Sequence, residues 1–179
     1  MNKFLFISGS PRKGNTEYIL NKVFNAVEGE KELILLRNKN IKHCLGCLSC
    51  STTKKCAIND DMTDIYGKIE NTDVIVVGTP NYYDNVSGLL KDFIDRTNPL
   101  YSSGKFKNKK LVSIIVGGGD VKTSEEIVSQ IFKNFAEAHE FKSADSYCFK
   151  ALGANEIENN PEAIEQINKI IEKLKNLSQ

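Results

Sequence analysis

The sequence lacks an excess of charge of either sign: 24 Lys and Arg face 23 Asp and Glu, for a net charge of +1. Proteins that grip nucleic acid by neutralising phosphates carry a strong basic excess, so that class of partner is not expected. Long hydrophobic runs are missing too. The longest, such as Phe4-Leu5-Phe6-Ile7 and Val74-Ile75-Val76-Val77, have four residues, whereas a membrane helix needs about twenty. Lys3 and the apolar residues after it run into Ser-Gly-Ser-Pro-Arg-Lys, too short and too soon charged for a signal peptide. A soluble cytoplasmic protein without a membrane partner is expected. There is no internal repeat, low-complexity tract or linker, so residues 1–179 are expected to form one domain, long enough to bury a core without staples.

What the chain does have is five apolar runs alternating with five helical patterns. Strands are predicted over residues 4–8, 33–36, 73–78, 111–116 and 146–151. Helical spacing links Ile19, Leu20, Val23, Phe24 and Val27, then Met62, Ile65, Tyr66 and Ile69, with Asp60 or Asp61 as cap. It returns at Leu89, Leu90, Phe93 and Ile94, and again at Ile127, Val128, Ile131, Phe132 and Phe135, where Thr123 and Ser124 signal the start. Asn160 and Pro161 open the last helix. Strand followed by helix, five times over, predicts an α/β fold: a doubly wound parallel sheet with helices on both faces. Right-handed crossovers favour the flavodoxin-like strand order 2-1-3-4-5. The Lys91/Asp95 and Asp92/Arg96 pairs have i,i+4 spacing and are expected to pair on a helix surface.

The segment GSPRKGNT at 9–16 lies between the first strand and the first helix, where an open α/β sheet binds anions. It approaches the nucleoside-triphosphatase loop G-x4-G-K-[ST], yet Asn15 stands where the lysine belongs. That makes it a poor cradle for a β,γ-phosphate with magnesium and a better one for a terminal monophosphate, held by Ser10, Asn15 and Thr16. Simple helix capping is the plainer alternative. Two further loops open on the same sheet edge: Thr79-Pro80-Asn81-Tyr82-Tyr83 after the third strand and Gly117-Gly118-Gly119-Asp120 after the fourth. A phosphate cradle, an aromatic-bearing loop and a bare glycine loop together suit a planar ligand with a phosphate tail.

Four of the five cysteines fall in one thirteen-residue run, Cys44-x2-Cys47-x2-Cys50-x5-Cys56. Structural zinc usually takes two separated Cys-x2-Cys pairs. Three cysteines at successive x2 spacing instead match the way a single loop wraps a [4Fe–4S] cluster. Gly46 and Ser49 leave the backbone room to curl. Zinc, and cysteines without a metal, remain alternatives. With the cysteines complete, His43 is expected to be a hydrogen-bonding loop residue. Cys148 alternates with Tyr147 and Phe149 on the fifth strand and is expected to fill the core. No cysteine is followed by five residues and an arginine, which excludes a phosphatase of this architecture.

These stretches, GSPRKGNT, TPNYY at 79–83 and SGLLKDFIDR at 87–96, resemble the NADPH-dependent FMN reductase family of flavodoxin-like proteins, and the cysteine run resembles its iron–sulfur flavoprotein subgroup. The resemblance extends over most of the chain up to about Asp120, with one departure at Asn81, where an apolar residue commonly precedes the tyrosine. It implies FMN with its phosphate among Ser10, Arg12, Gly14, Asn15 and Thr16, and its ring beside Thr79, Pro80, Asn81, Tyr82, Tyr83, Gly117, Gly118, Gly119 and Asp120. Because the cofactor carries the redox chemistry, no side chain need be a catalytic acid or base.

An oxidoreductase is therefore expected, moving electrons between NAD(P)H or a carrier protein, FMN and an acceptor, with a cluster on Cys44, Cys47, Cys50 and Cys56 as relay. A non-enzymatic electron carrier and a zinc-stabilised binding module are the competing readings. The cysteine loop, residues 38–60, is far longer than an ordinary connection and is expected to pack over a neighbouring chain in a homodimer or homotetramer.

Overall fold

A computed structural model describes residues 2–177. Its centre is a parallel sheet of β1 (Phe4–Ser8), β2 (Lys31–Leu35), β3 (Val74–Pro80), β4 (Lys110–Gly117) and β5 (Ser143–Lys150). The spatial order is β2-β1-β3-β4-β5, with Phe6 level with Leu33 on one side and Val76 on the other. This is the predicted flavodoxin-like order. The inner strands are continuous apolar runs because both faces are covered. Leu5, Ile7, Ile75, Val77, Leu111 and Ile115 face one layer: α3 (Met62–Glu70), α4 (Gly88–Asp95), α5 (Asn98–Ser103) and α7 (Ser129–Ala138). Phe4, Phe6, Val74, Val76, Val112 and Ile114 face the other, α1 (Asn15–Ala26) and α8 (Pro161–Asn176).

Strand boundaries depart from expectation most at the sheet edges. β2 and β5 each begin earlier than their apolar residues suggest, because half-covered edge strands tolerate Lys31, Glu32, Ser143 and Asp145. One helix start is also corrected. Asp120, not Thr123 or Ser124, is the N-cap, its carboxylate accepting from Lys122 N–H at 3.3 Å. The helix begins as α6 (Val121–Thr123) and passes through a π-helical turn at Ser124–Val128 before becoming α7. Asn160 caps α8 as expected, accepting from Glu162 and Ala163. A short helix, α2 (Ser49–Thr53), lies inside the cysteine run. Cys148 is buried against Ser129, and burial pushes its thiol pKa up, as suits a core filler. Among the described residues no helix is long and apolar enough to cross a membrane.

Candidate functional site

The loop after β1 is built into the sheet. Gly9 N–H donates to Gly78 O at 2.8 Å, and Gly9 O accepts from the hydroxyl of Ser87, the N-cap of α4. A Cβ at Gly9 would come within 2.7 Å of Leu90 Cβ, so only glycine lets β1, β3 and α4 meet this closely. Ser10 Oγ donates to Arg12 O at 2.7 Å and turns the chain. α1 then starts at Asn15 with no side-chain cap, although Asn15, Thr16 and Glu17 are buried. A buried helix start leaves several N–H groups in need of an acceptor and carries partial positive charge. Such a helix start could accept an anion.

This helix start opens into a cavity of about 200 Å³. Ser10, Arg12, Gly14, Asn15 and Thr16 form one wall, Pro80, Asn81 and Tyr82 a second, and Val116, Gly117, Gly118, Ala151 and Leu152 the rest. Four expected residues stand outside it. Thr79 is wholly buried, its hydroxyl donating to Pro80 O and accepting from Ser87 N–H, which shuts the following loop. Tyr83 (φ 53°) and Asp84 (φ 56°) are the two left-handed residues of a tight turn closed by Tyr82 and Asn85, which sends the Tyr83 ring into solvent. Asp120 is spent as the cap of α6, and nothing lies within 4 Å of a Cβ at Gly119.

The side chain of Asn15 also differs from its expected role. Its Nδ2 donates to Gly153 O at 2.7 Å and its Oδ1 accepts from Ile157 N–H at 3.4 Å. The amide braces the loop after β5. That loop supplies Ala151 and Leu152, which sequence reading missed. Glu156 fixes it by accepting from Leu152 and Gly153 N–H, and those bonds hold its carboxyl below the usual range. Gly118 accommodates the same loop, because a Cβ there would lie 2.7 Å from Leu152 Cδ1. At Gly117 the neighbour is Asn81 Cβ, at 3.0 Å. Asn81 Nδ2 in turn donates to Ser124 Oγ at 2.8 Å, tying the aromatic loop to the π-helical turn.

A second cavity, of about 230 Å³, is lined by Cys44, Cys47, Cys50 and Cys56, with Arg96, Pro99 and Tyr101 behind them. The loop curls through left-handed backbone at Gly46 (φ 62°), Leu48 (φ 60°) and Lys54 (φ 58°). Gly46 is there for conformation, since nothing lies within 4 Å of a Cβ at that position. Hydrogen bonds from Ser49 lower the Cys47 thiol pKa and so favour thiolate. Among the described residues no three side chains converge closely enough to hold a single metal ion. Four thiols around one cavity nonetheless fit, by their chemistry, the donor set that an iron–sulfur cluster would need, since such a cluster distributes its ligands over separate irons.

The stems of this loop meet at Arg96. Expected on the helix surface opposite Asp92, Arg96 is instead buried, and its side chain and that of Asp60 are both 0% exposed. Its Nη1 donates to Asp60 Oδ2 at 2.6 Å and Lys42 O at 2.7 Å, and its Nη2 to Asp60 Oδ1 at 3.0 Å. Burial raises the Asp60 carboxyl pKa, but Arg96 and the N–H groups of Lys42 and Met62 outweigh it and hold the group low. Asp92 pairs with His43, Nδ1 to Oδ1 at 2.6 Å, which raises the imidazole pKa. The signal for Arg96 was its spacing from Leu89 and Phe93, i+7 and i+3, which continues the inward stripe of α4.

A larger depression of about 540 Å³ lies at the opposite end of the strands, lined by Lys3, Glu30, Glu32 and Lys68 among others. Four of its charges are paired, Lys3 with Glu30 and Lys68 with Glu32, and open α/β sheets bind ligands at the carboxyl ends of their strands.

An anion-ready helix start at the β1/β3 switch point of a 2-1-3-4-5 sheet defines a flavodoxin-like protein. The profile of the NADPH-dependent FMN reductase family matches residues 2–155. The chain belongs to that family, in its iron–sulfur flavoprotein branch. It is 37% identical over 137 residues to an iron-sulfur flavoprotein of Methanocaldococcus jannaschii, covering 74% of this chain and 71% of that one. An iron-sulfur flavoprotein of Archaeoglobus fulgidus is 34% identical over 65% of this chain, a match that spans 59% of the relative's length. Among solved structures, an NAD(P)H:quinone oxidoreductase from Methanothermobacter marburgensis shares the fold at a TM-score of 0.75, with 11% identity and coverage of 99% of this chain and 98% of that one.

Proposed function

We propose that the protein is an FMN-dependent oxidoreductase whose cysteine loop holds a [4Fe–4S] cluster in electronic contact with the flavin. The observation that carries the flavin half is the buried, uncapped start of α1 at the switch point. Its N–H groups, the Thr16 hydroxyl and the Arg12 guanidinium would hold a terminal phosphate, with the Ser10 hydroxyl shaping the turn around it. Pro80, Asn81, Tyr82, Gly117, Gly118 and Leu152 would border the ring. FMN, when bound, supplies hydride and single-electron chemistry. The protein's part is to bind, orient and shield.

The cluster half rests on the four-thiol cavity. Helix α4 links the two sites, starting at Ser87 against the phosphate loop and ending at Arg96 beside the cysteines. Its eight residues rise roughly 12 Å along the helix axis. NAD(P)H or a carrier protein would be the donor, and a small molecule the acceptor. Leu45 and Leu48 stand 74% and 72% exposed on the cysteine loop, which supports an oligomer in which a second copy covers them.

Apoprotein titrated with FMN tests the first half. Thr16→Val together with Ser10→Ala should weaken binding at least tenfold, about 1.4 kcal/mol, and unchanged affinity would remove the phosphate assignment. Anaerobic purification should give iron and acid-labile sulfide in equal amounts, whereas zinc without sulfide would overturn the cluster. Reduction of the bound flavin by NADPH separates the enzyme from a pure electron carrier.

A further inference from the structure

The Arg96–Asp60 pair does more than close a loop. Lys42 lies just before Cys44, and Ile58 and Asp60 just after Cys56, so one guanidinium grips both stems of the cysteine segment. Its two terminal nitrogens are occupied by Asp60 and by the carbonyls of Lys42 and Ile58. The third, Nε, is buried and has no partner among the described residues. A buried N–H without an acceptor is destabilising and calls for an explanation. Arg96 also lines the cysteine cavity, and the Cys56 thiol lies beside both the guanidinium and the Tyr66 hydroxyl. Tyr66 holds the helix end from the other side, donating to Arg96 O at 2.7 Å. The guanidinium thus gives its two terminal nitrogens to the carboxylate and the loop carbonyls and leaves its remaining donor without a partner, on a side chain that lines the same cavity as Cys56.

We infer that Arg96 is a positioning residue for the group the four cysteines hold, presenting Nε–H and positive charge to the Cys56 sulfur and so raising that group's electron affinity. This rests on the cluster reading above. Hydrogen bonds to cluster sulfurs and nearby charge are among the factors that set iron–sulfur potentials. Positive charge favours the reduced, more negative state. Asp60 opposes it from the far edge of the guanidinium.

The test uses the full chain with FMN, reconstituted anaerobically with iron and sulfide. Iron per chain and the cluster's midpoint potential, followed by electron paramagnetic resonance, are the readouts, and FMN content and circular dichroism report folding. Arg96→Gln should shift the oxidised-to-reduced ratio at fixed ambient potential at least tenfold toward oxidised, about 59 mV for a one-electron couple. Arg96→Lys should shift it in the same direction but less, since the charge stays while the Nε donor is lost. Asp60→Asn should shift it the opposite way. A purely structural clamp would lower iron content without moving the potential of the clusters that form. Folded Arg96→Gln and Arg96→Lys proteins titrating at the wild-type potential overturn the inference, and if Arg96→Gln does not fold, an unmoved potential in Arg96→Lys does so alone. A wild-type chain that takes up no iron and sulfide would remove the cluster reading, and this inference with it.

Discussion

The two ends of α4 support two loops made in opposite ways. At its start, the phosphate loop is seated in the sheet: Ser8, Ser10 and Thr16 are buried, and the main chain of Gly9 bonds to β3. At its end, the cysteine loop is largely exposed and curls through three left-handed residues, two of which are not glycine and so carry backbone strain. Its stems are clamped by one buried ion pair. The first site is a by-product of the fold, because any tight β1–α1 turn in this topology aims N–H groups at the same crevice. The second is attached to the fold, and if it holds the cluster proposed above it would depend on that ligand for completion, as metal-binding loops commonly do.

The contrast is broken most directly at the clamp. Asp60→Ala would leave the Arg96 charge buried without its partner, a change that typically costs about 3–5 kcal/mol. Chemical denaturation of the FMN-bound protein should show that loss, with proteolysis appearing first between residues 43 and 58. If stability falls by less than about 1 kcal/mol, the cysteine loop is self-supporting and the contrast fails.

A second probe is acid. His139 packs behind α5, its ring 4.5 Å from those of Phe106 and Phe135, with Nε2 3.3 Å from Thr97 Oγ1. Burial lowers its pKa to about 4, against about 6.5 in the unfolded chain. Between those values the unfolded state binds more protons, so stability is full above pH 6.5 and falls as pH drops toward 4. The loss is at most about 3 kcal/mol. It should appear on the cysteine side, since Tyr101, which lines that cavity, contacts the His139 ring. Melting temperatures from pH 7 to 4 should fall steeply in the wild type and less in His139→Phe. Parallel curves would show that another group sets the acid limit.

The same contrast governs what could be read from sequence. β1, its glycine loop and the inner strands were legible because two-sided burial writes a continuous apolar run, and a glycine-rich turn followed by a helix has few other readings. The grouping of the cysteines was legible from their spacing alone, and the fold gathers all four around one cavity. Arg96 was not, because Asp92 four residues earlier offered an ordinary surface partner, while the true partner, Asp60, is distant in sequence. Leu152 was missed for a related reason. It belongs to the loop after an edge strand, and the bonds that bring it to the cavity, from Asn15 to Gly153 and Ile157, join residues about 140 apart in the chain. Long-range polar contacts leave no periodic trace.

The smallest effect gives the sharpest comparison. Ser87 and Asn160 are both N-caps: Ser87 Oγ accepts from Leu90 N–H at 3.2 Å, and Asn160 Oδ1 accepts from Glu162 N–H at 3.0 Å. Replacing either with alanine should cost about 1 kcal/mol of stability. Only Ser87 also donates to Gly9 O and sits, 2% exposed, beneath the phosphate loop. Ser87→Ala leaves that carbonyl short of a donor and frees the loop from α4, so its FMN affinity should fall several-fold. Asn160→Ala should bind FMN as the wild type does, although it too is destabilised. Neither variant should change cluster content, because each cap lies away from the cysteine end of α4. Equal losses of FMN affinity in the two variants would mean that binding follows global stability, and the phosphate loop would then be no more preformed than the cysteine loop.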